Sequence, residues 1–288
     1  MNSLLTIATG FELAENPLWD SEKRCVYWTD ITAGKLHRYD LSTEKCSVIY
    51  TGSPVGGFTI QSGGRLLLFR TDDIALLQPN GNAKVLRKFS HESMQRFNDV
   101  IADPEGRVFA GTFGDHPGCG LYRVDLDGTI TQMFSGTGCS NGMGFSPDLQ
   151  TFYWTCSTTR QILRFAYDRS SGSLTGRKLF YQTTPDEGIP DGLAVDSEGN
   201  VWSARWGRAS VVRHASDGTV LAVLHFPRLN VTSICFGGEN LDQIFVTSAK
   251  ESAAGAATSG ALFKTIVQFQ GSNEFKSRIS PPSDPDPS

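Results

Sequence analysis

Short apolar strands recur along the chain at a nearly constant spacing, each opened by a polar residue and followed by a turn. Two segments, residues 98–111 (NDVIADPEGRVFAG) and 191–204 (DGLAVDSEGNVWSA), align without a gap, with an Asp five residues and a Gly eight residues after the first position. Short alternating runs separated by Gly-containing turns are typical of paired β-strands. The chain therefore repeats one β-rich unit, and almost no segment has helical periodicity.

Four further segments follow the same pattern less closely, so the unit occurs six times. The copies begin at Glu15, Gly56, Asn98, Asn141, Asp191 and Thr232, with spacings of 41, 42, 43, 50 and 41 residues. Units of about 40–50 residues built from strands and turns are typical of four-stranded propeller blades. The sequence predicts an all-β fold, one six-bladed β-propeller over residues 1–270. A strand at residues 4–9 is expected to complete the last blade and close the ring.

The composition indicates a globular protein. Hydrophobic residues make up 39% of the 288 residues and charged residues 19%, which is enough apolar material for a sizeable core. The net charge is −4, whereas a nucleic-acid-binding surface normally has a basic excess. No apolar run approaches the roughly 18 residues of a membrane span. Neither nucleic acid nor a membrane is expected as a partner, and nothing in the pattern indicates an oligomeric state.

The N-terminal residues and the cysteines indicate the cellular compartment, and the C-terminal residues indicate a tail. The N-terminal residues MNSLLTIA lack the basic and apolar regions of a secretory signal, and the six cysteines form no CxxC pair. These features favour free thiols in a reducing cytoplasm, and the dispersed cysteines and histidines do not predict a zinc site of their own. Residues 271–288 are polar and Pro-rich, and a disordered or loosely attached tail is expected there.

The six opening residues are expected to form a ring, because equivalent positions in a radial array point to the same place. Most of them carry oxygen donors, and the converging charges of Glu15 and Asp191 repel unless protons or a cation neutralise them. Hard oxygen ligands favour calcium, magnesium or manganese. The alternative is that these residues only cap turns, as Asn, Asp and Thr often do, although Glu is not a favoured turn residue.

Five motifs, in order along the chain, resemble those of the senescence marker protein, regucalcin and gluconolactonase family. They are ENPLWD with YWTDI, RFNDVIADPEGRVFAGT, SNGMGFSPD, PDGLAVDSEGNVW and VTSICFGGENLDQIFVTSA. The resemblance implies a six-bladed propeller with one divalent metal in the channel and hydrolysis of sugar lactones. It also implies that Glu15, Asn141 and Asp191 are metal ligands, that Asn98 contacts metal-bound water or substrate, and that Arg96 binds substrate hydroxyls or the ring oxygen.

The expected activity is that of a metal-dependent lactonase, which opens a sugar (aldono-) lactone to the corresponding acid. The cation, Ca²⁺ in first place with Mg²⁺, Mn²⁺ or Zn²⁺ as alternatives, would polarise the lactone carbonyl as a Lewis acid. Asp191 is the expected general base, taking a proton from the attacking water and later delivering it to the ring oxygen. A nucleophilic-serine esterase is disfavoured, because the sequence shows no Ser–His–Asp arrangement.

Three other functions stay open. A phosphotriesterase-type hydrolase uses a related propeller with comparable calcium ligands. A non-catalytic, calcium-binding regulatory protein is the second alternative, although a dedicated buffer would fill six to eight coordination positions with protein oxygens. A metal-free platform for protein binding is the third, and it requires the acidic ring to be accidental.

Several positions outside the ring have their own expectations. Cys156 stands where the family usually has an acidic residue, and Trp206 is a candidate sugar-stacking platform at the channel mouth. Asp115 and His116, in a short loop at 114–120, are candidates to face the substrate, against the alternative of solvated loop residues. Blade-core positions are expected for the remaining tryptophans, Trp19, Trp28, Trp154 and Trp202.

Overall fold

The computed structural model describes residues 3–115, 118–253 and 256–280. In these ranges six four-stranded antiparallel sheets form a ring, which confirms the predicted six-bladed propeller. The first strand, β1, spans Leu5–Phe11. It belongs to the last blade rather than the first.

The blades follow one another in chain order, each from its innermost to its outermost strand. Blade 1 contains β2 (Ala14–Asp20), β3 (Cys25–Asp30), β4 (Lys35–Asp40) and β5 (Lys45–Thr51). Blade 2 contains β6 (Val55–Ile60), β7 (Leu66–Arg70), β8 (Asp73–Leu77) and β9 (Ala83–Lys88). Blade 3 contains β10 (Met94–Ala102), β11 (Val108–Gly114), β12 (Gly120–Val124) and β13 (Ile130–Ser135).

The second half of the ring is built in the same way. Blade 4 contains β14 (Ser140–Phe145), β15 (Thr151–Cys156), β16 (Gln161–Asp168) and β17 (Ser173–Gln182), and a 3₁₀ turn, Pro185–Glu187, follows it. Blade 5 contains β18 (Ile189–Val195), β19 (Val201–Trp206), β20 (Ser210–His214) and β21 (Val220–His225). Blade 6 contains β22 (Val231–Gly237), β23 (Gln243–Ser248) and β26 (Gly260–Ile266), with a small hairpin of β24 (Glu251–Ala253) and β25 (Ala256–Thr258) between the last two.

The ring closes through the N-terminal strand. β1 pairs antiparallel with β26 and forms the outer edge of blade 6, as the sequence predicts. Around the centre, each innermost strand contacts the innermost strands of both neighbouring blades. The six strands β2, β6, β10, β14, β18 and β22 therefore form the wall of the channel.

Hydrophobic clusters fill all six interfaces between blades. The predicted blade-core tryptophans are confirmed: Trp19, Trp28, Trp154 and Trp202 are all at most 4% exposed. Cys156 is also buried and belongs to the cluster between blades 3 and 4. This cysteine therefore occupies a packing position.

A buried aspartate explains the strongest feature of the repeat. Asp103 has no exposed surface, and its Oδ1 accepts hydrogen bonds from the backbone N–H groups of Glu105 and Arg107, both at 2.9 Å. The equivalent Asp196 does the same in blade 5. The glycine three residues later has a positive φ, as in Gly106 (+87°), where a side chain would be strained. The Asp and Gly thus hold the turn between the first two strands of a blade.

Residues 271–280, here named the C-terminal strap, cross the face where the innermost strands end. The Gly271 N–H donates to the Leu241 carbonyl of blade 6, Phe275 packs against Phe145 of blade 4, and Ser277 is fully buried and bonded to blade 2. The expectation of loose attachment is wrong for these residues, because backbone bonds and apolar contacts fix a polar sequence to the turns. Residues 281–288 lie outside the described residues, and the domain boundary at residue 270 stays a prediction.

The described residues contain no helix that is both long and apolar enough to cross a lipid bilayer.

Candidate active site

A cavity of about 400 Å³ lies at the end of the channel where the innermost strands begin. The structure brings together the five residues that the family resemblance implies for the site: Glu15, Arg96, Asn98, Asn141 and Asp191 line this one cavity. They come from the innermost strands of blades 1, 3, 4 and 5. The cavity faces away from the C-terminal strap.

The two remaining ring positions do not line this cavity. Gly56 leaves no room for a side chain, since a Cβ atom there would lie 1.9 Å from the Phe97 carbonyl oxygen. The Thr232 hydroxyl donates to the Ala14 carbonyl at 2.6 Å and contacts Thr247. The expectation that Thr232 adds an oxygen donor to the channel is therefore wrong, because its hydroxyl ties blade 6 to blade 1.

Every innermost strand has a bulge at its ring position or directly after it. In blade 4, Ser140 and Met143 each pair with a residue of β15, but the two residues between them, including Asn141, have no partner in the ladder. In blade 5, Asp191 is left out of the ladder in the same way. In blade 1 the skipped residues follow Glu15 directly. A bulge frees a residue from the ladder and changes the direction of its side chain. The bulges thus turn the site residues from the sheet plane into the channel.

Glycines beside two of these residues let the innermost strands approach each other closely. A Cβ atom on Gly142 would lie 2.2 Å from the backbone nitrogen of Leu193, and one on Gly192 would lie 2.1 Å from Ser233 Oγ. Only a residue without a side chain fits such a gap. The Asn-Gly and Asp-Gly pairs of the sequence therefore narrow the channel at the level of Asn141 and Asp191.

The site concentrates buried negative charge. Glu15 and Asp191 are each 5% exposed. Burial raises the pKa of Glu15 well above its usual value, and the charges of Asp191 and Asp99 raise it further. Burial likewise raises the pKa of Asp191, with the charge of Asp99 as the second cause. Asp99, which the sequence analysis did not single out, has its pKa raised to about 7 by burial.

The donor atoms of this site fit a divalent cation. Asn141 Oδ1 and Asp191 Oδ1 are buried and have no hydrogen-bond partner among the described residues, a costly state for polar atoms. Together with Glu15 they offer two carboxylates and one amide oxygen, a hard donor set that suits Ca²⁺ or Mg²⁺. Within the described ranges no group of three or more His, Cys, Asp or Glu side chains is placed to hold a metal, and the fit therefore depends on the Asn141 amide.

Arg96 and Asn98 form the opposite part of the site. Arg96 donates from Nη1 to the Phe97 carbonyl at 3.0 Å and to Asn98 Oδ1, and its guanidinium lies 4.6 Å from the ring centroid of Phe113. Asn98 Nδ2 donates to the Ser140 carbonyl at 2.9 Å. The side-chain oxygen Oδ1 of Asn98 thus accepts a hydrogen bond from Arg96, whereas Oδ1 of Asn141 has no hydrogen-bond partner among the described residues.

Other lining residues were missed by the sequence analysis. Leu13, Cys139 and Ile189 line the cavity two residues before a ring position, as Arg96 does. Side chains two residues apart on a strand share a face. The column of the repeat alignment two residues before the ring positions therefore predicts these lining residues. Ser157, which follows β15, also lines the cavity and has no such signal.

The other candidates have mixed outcomes. Trp206 lines the cavity at the end of β19, at its predicted place, and its contact with a sugar stays a prediction. Asp115 is exposed and is not among the described residues that line the cavity. His116 lies outside the described residues.

Comparisons with known proteins agree with the motifs. Residues 13–250 match the model of the SMP-30/gluconolactonase/LRE-like region. Pentonolactonase XacC of Haloferax volcanii is 40% identical over 283 residues, which cover 95% of this chain and 97% of that protein. The 6-deoxy-6-sulfogluconolactonase of Pseudomonas putida is 32% identical, with 91% and 94% covered. A solved structure of regucalcin, a calcium-binding protein from Agrobacterium tumefaciens, superposes with a TM-score of 0.90 at 25% identity and covers 96% of this chain and 98% of its own.

Proposed function

Because the chain belongs to the SMP-30/gluconolactonase/LRE-like family, we propose that it is a lactonase that hydrolyses a sugar lactone to the sugar acid with the aid of one divalent cation. The observation that carries the proposal is the convergence of Glu15, Asn141 and Asp191, with two unpartnered oxygen atoms, on one channel cavity. The 40% sequence identity to a pentonolactonase, over 95% of this chain, supports a sugar lactone as the substrate.

Glu15, Asn141 and Asp191 are the residues that would hold the cation, with Ca²⁺ the first candidate. A bound divalent cation supplies Lewis-acid polarisation of the lactone carbonyl and balances the two buried carboxylates. The calcium-binding relative of the same fold supports this choice. Hard donors also accept Mg²⁺ and Mn²⁺.

Asp191 acts as the general base. Its carboxylate takes a proton from a water molecule as the water oxygen bonds to the carbonyl carbon, and it returns that proton to the ring oxygen as the carbon–oxygen bond of the ring breaks. The products are a carboxylic acid and a hydroxyl group on the opened chain. Without the cation, burial raises the pKa of Asp191, and a bound cation would keep the carboxylate ionised and able to accept the proton.

Arg96, Asn98 and Trp206 bind and orient the sugar. Arg96 is held over Phe113 and against Asn98, so its remaining donors are fixed in direction toward substrate hydroxyls or the ring oxygen. Trp206, at the edge of the cavity, offers an aromatic face to the sugar. Free cysteines, as found at all six positions, are usual in reducing compartments and support the expected cytoplasmic location.

The test is lactone hydrolysis by the chelator-stripped protein. Acid release from a panel of pentono- and hexonolactones is followed while Ca²⁺, Mg²⁺, Mn²⁺ and Zn²⁺ are added back in turn, with Glu15→Gln as the matched variant. Turnover that returns with metal in the wild type and not in the variant supports the proposal. Tight metal binding without turnover on any lactone contradicts it and favours the phosphorus-ester or calcium-binding alternative.

A further inference from the structure

Ser157 connects Asn141 in blade 4 to the backbone that immediately precedes Asp191 in blade 5. It follows β15 in blade 4, and its side chain lines the cavity. The Ser157 hydroxyl accepts a hydrogen bond from Asn141 Nδ2 at 3.0 Å and donates one to the Pro190 carbonyl at 2.6 Å. Pro190 immediately precedes Asp191 in blade 5, so one hydroxyl spans the gap between the blades.

The donor and acceptor roles of the two hydrogen bonds of Ser157 are fixed by their partners. A carbonyl oxygen can only accept, so the Ser157 proton points to Pro190. The hydroxyl oxygen is then left to accept, and the Asn141 group facing it has to be the NH₂ end of the amide. Asn141 Oδ1 therefore faces away from Ser157, which agrees with its being the end without a partner.

The backbone holds Ser157 in place for this task. Its N–H donates to the carbonyl of Cys139 at 3.1 Å, two residues before Asn141, and its carbonyl accepts from the Arg160 N–H at 3.0 Å. Asn141 and Asp191 themselves have left the strand ladder at their bulges. An anchored hydroxyl thus supplies an orientation that the ladder does not.

We propose that Ser157 is a positioning residue, which selects the amide end that Asn141 turns to the cavity and fixes the peptide entering Asp191. The inference rests on the proposed function, since it takes these two residues as cation ligands. It also gives Ser157 no role as a nucleophile, because its proton goes to a carbonyl and no histidine among the described residues lines the cavity.

The experiment measures cation affinity by calorimetry on chelator-stripped protein, with CaCl₂ and MnCl₂ as the probes. Ser157→Ala is expected to weaken affinity about tenfold, the scale of groups that orient ligands, and Ser157→Thr to recover part of it. Ser157→Cys nearly keeps the side-chain volume but replaces the hydroxyl by a weak hydrogen-bond donor. Its cation affinity is expected to fall as much as that of Ser157→Ala. Thr158→Ala is the control, because Thr158 lines the same cavity without a hydrogen bond to Asn141 or Asp191 in the described structure, and its affinity is expected to stay within about twofold.

A double-mutant cycle separates positioning from general structural damage. In an Asn141→Ala background the Ser157→Ala change is expected to cost much less affinity than in the wild type, because its main target is gone. An equal cost in both backgrounds, or wild-type affinity of both Ser157→Ala and Ser157→Cys, would overturn the inference while leaving the lactonase proposal intact. Absence of cation binding by the wild type itself would overturn both.

Discussion

Glu15 and Asp191 stand on the innermost strands of blades 1 and 5, on either side of blade 6, and the charge of Asp191 adds to burial in raising the pKa of Glu15. The positive charge of Arg96 lowers the pKa of both carboxyls, but it is a smaller influence than burial. Two buried negative charges with this little compensation favour a proton or a divalent cation between them.

Glu15→Gln is expected to change two properties in opposite directions. Cation affinity should fall at least about tenfold, because one of two charged ligands is lost. The cation-free protein should become more resistant to urea, because the repulsion and the buried charge are removed. Calorimetry and urea unfolding in chelator measure the two effects.

A matched control for this change is Glu12→Gln, an exposed carboxylate that pairs with Lys250. It should leave both properties nearly unchanged. Wild-type cation affinity in Glu15→Gln would show that the ligand set is misassigned.

Asp191→Asn is expected to keep the fold and lower turnover on a lactone by at least about a hundredfold, the usual scale for a lost general base. The amide keeps the volume and one oxygen but cannot take the proton. Steady-state kinetics with saturating metal measure the effect, and Asp186→Asn in the exposed 3₁₀ turn is the control. Turnover within a few-fold of the wild type would remove Asp191 from this role.

Arg96→Ala is expected to raise KM about tenfold, the value of a hydrogen bond to a charged group, with a smaller change in kcat. Part of the effect arises because Asn98 loses its partner for Oδ1. The control is Arg24→Ala, an exposed arginine at the turn after β2. Unaltered kinetics on every lactone that the wild type hydrolyses would make Arg96 a structural residue.

Ile279→Ala is expected to lower the free energy of unfolding by about 2 kcal/mol or more, the usual cost of truncating a buried isoleucine. Ile279 is 6% exposed and belongs to the cluster between blades 2 and 3, although it lies in the C-terminal strap. Urea denaturation measures the loss, with Ser272→Ala on the exposed part of the strap as the control. Equal stability of the two variants would mean that the strap does not hold the blades.

His214 makes stability depend on pH. Burial, with the charge of Arg205, lowers its pKa to about 4, and Nε2 lies 2.8 Å from Arg205 Nη2. The unfolded chain binds the proton below its ordinary pKa near 6.5, so stability is full above that pH and falls as pH drops toward 4. Between pH 7 and pH 5 this group should account for about 2 kcal/mol. The pH dependence of unfolding should be flatter by that amount in His214→Gln, and identical curves would contradict the prediction.

The sequence predicts the innermost strands and the level of the site because the repeat is local. Asp103 and Asp196 mark equivalent turns since each carboxylate bonds to backbone within four residues, and such short-range contacts leave a periodic signature. Once the turns are aligned, Glu15, Asn141 and Asp191 occupy one column by symmetry, and the structure places them in one cavity.

The sequence does not predict what depends on contacts between distant parts of the chain. The bond from Ser157 to Pro190 crosses a blade boundary, and a hydroxyl in a strand-end position has no pattern of its own. The polar composition of the strap indicates a loosely attached tail. The strap is nevertheless bound by hydrogen bonds to the backbone carbonyls of Leu241 and Ile60, and backbone groups are the same in every sequence, so they leave no pattern. The bulges are likewise absent from the hydrophobic pattern, although the Gly after Asn141 and Asp191 accompanies them.

The pairing of β1 with β26 has a consequence for how the protein is made. Residues 5–11 are synthesised before every other strand of the propeller, and their partner strand at 260–266 is synthesised after all of them. A contact of such sequence separation forms late, and until it forms blade 6 lacks its outer strand. A nascent chain that already contains Glu15, Asn141 and Asp191 thus has every proposed ligand and no closed ring to hold them together. Cation capture is therefore expected only after residues 260–266 have been synthesised and paired with β1.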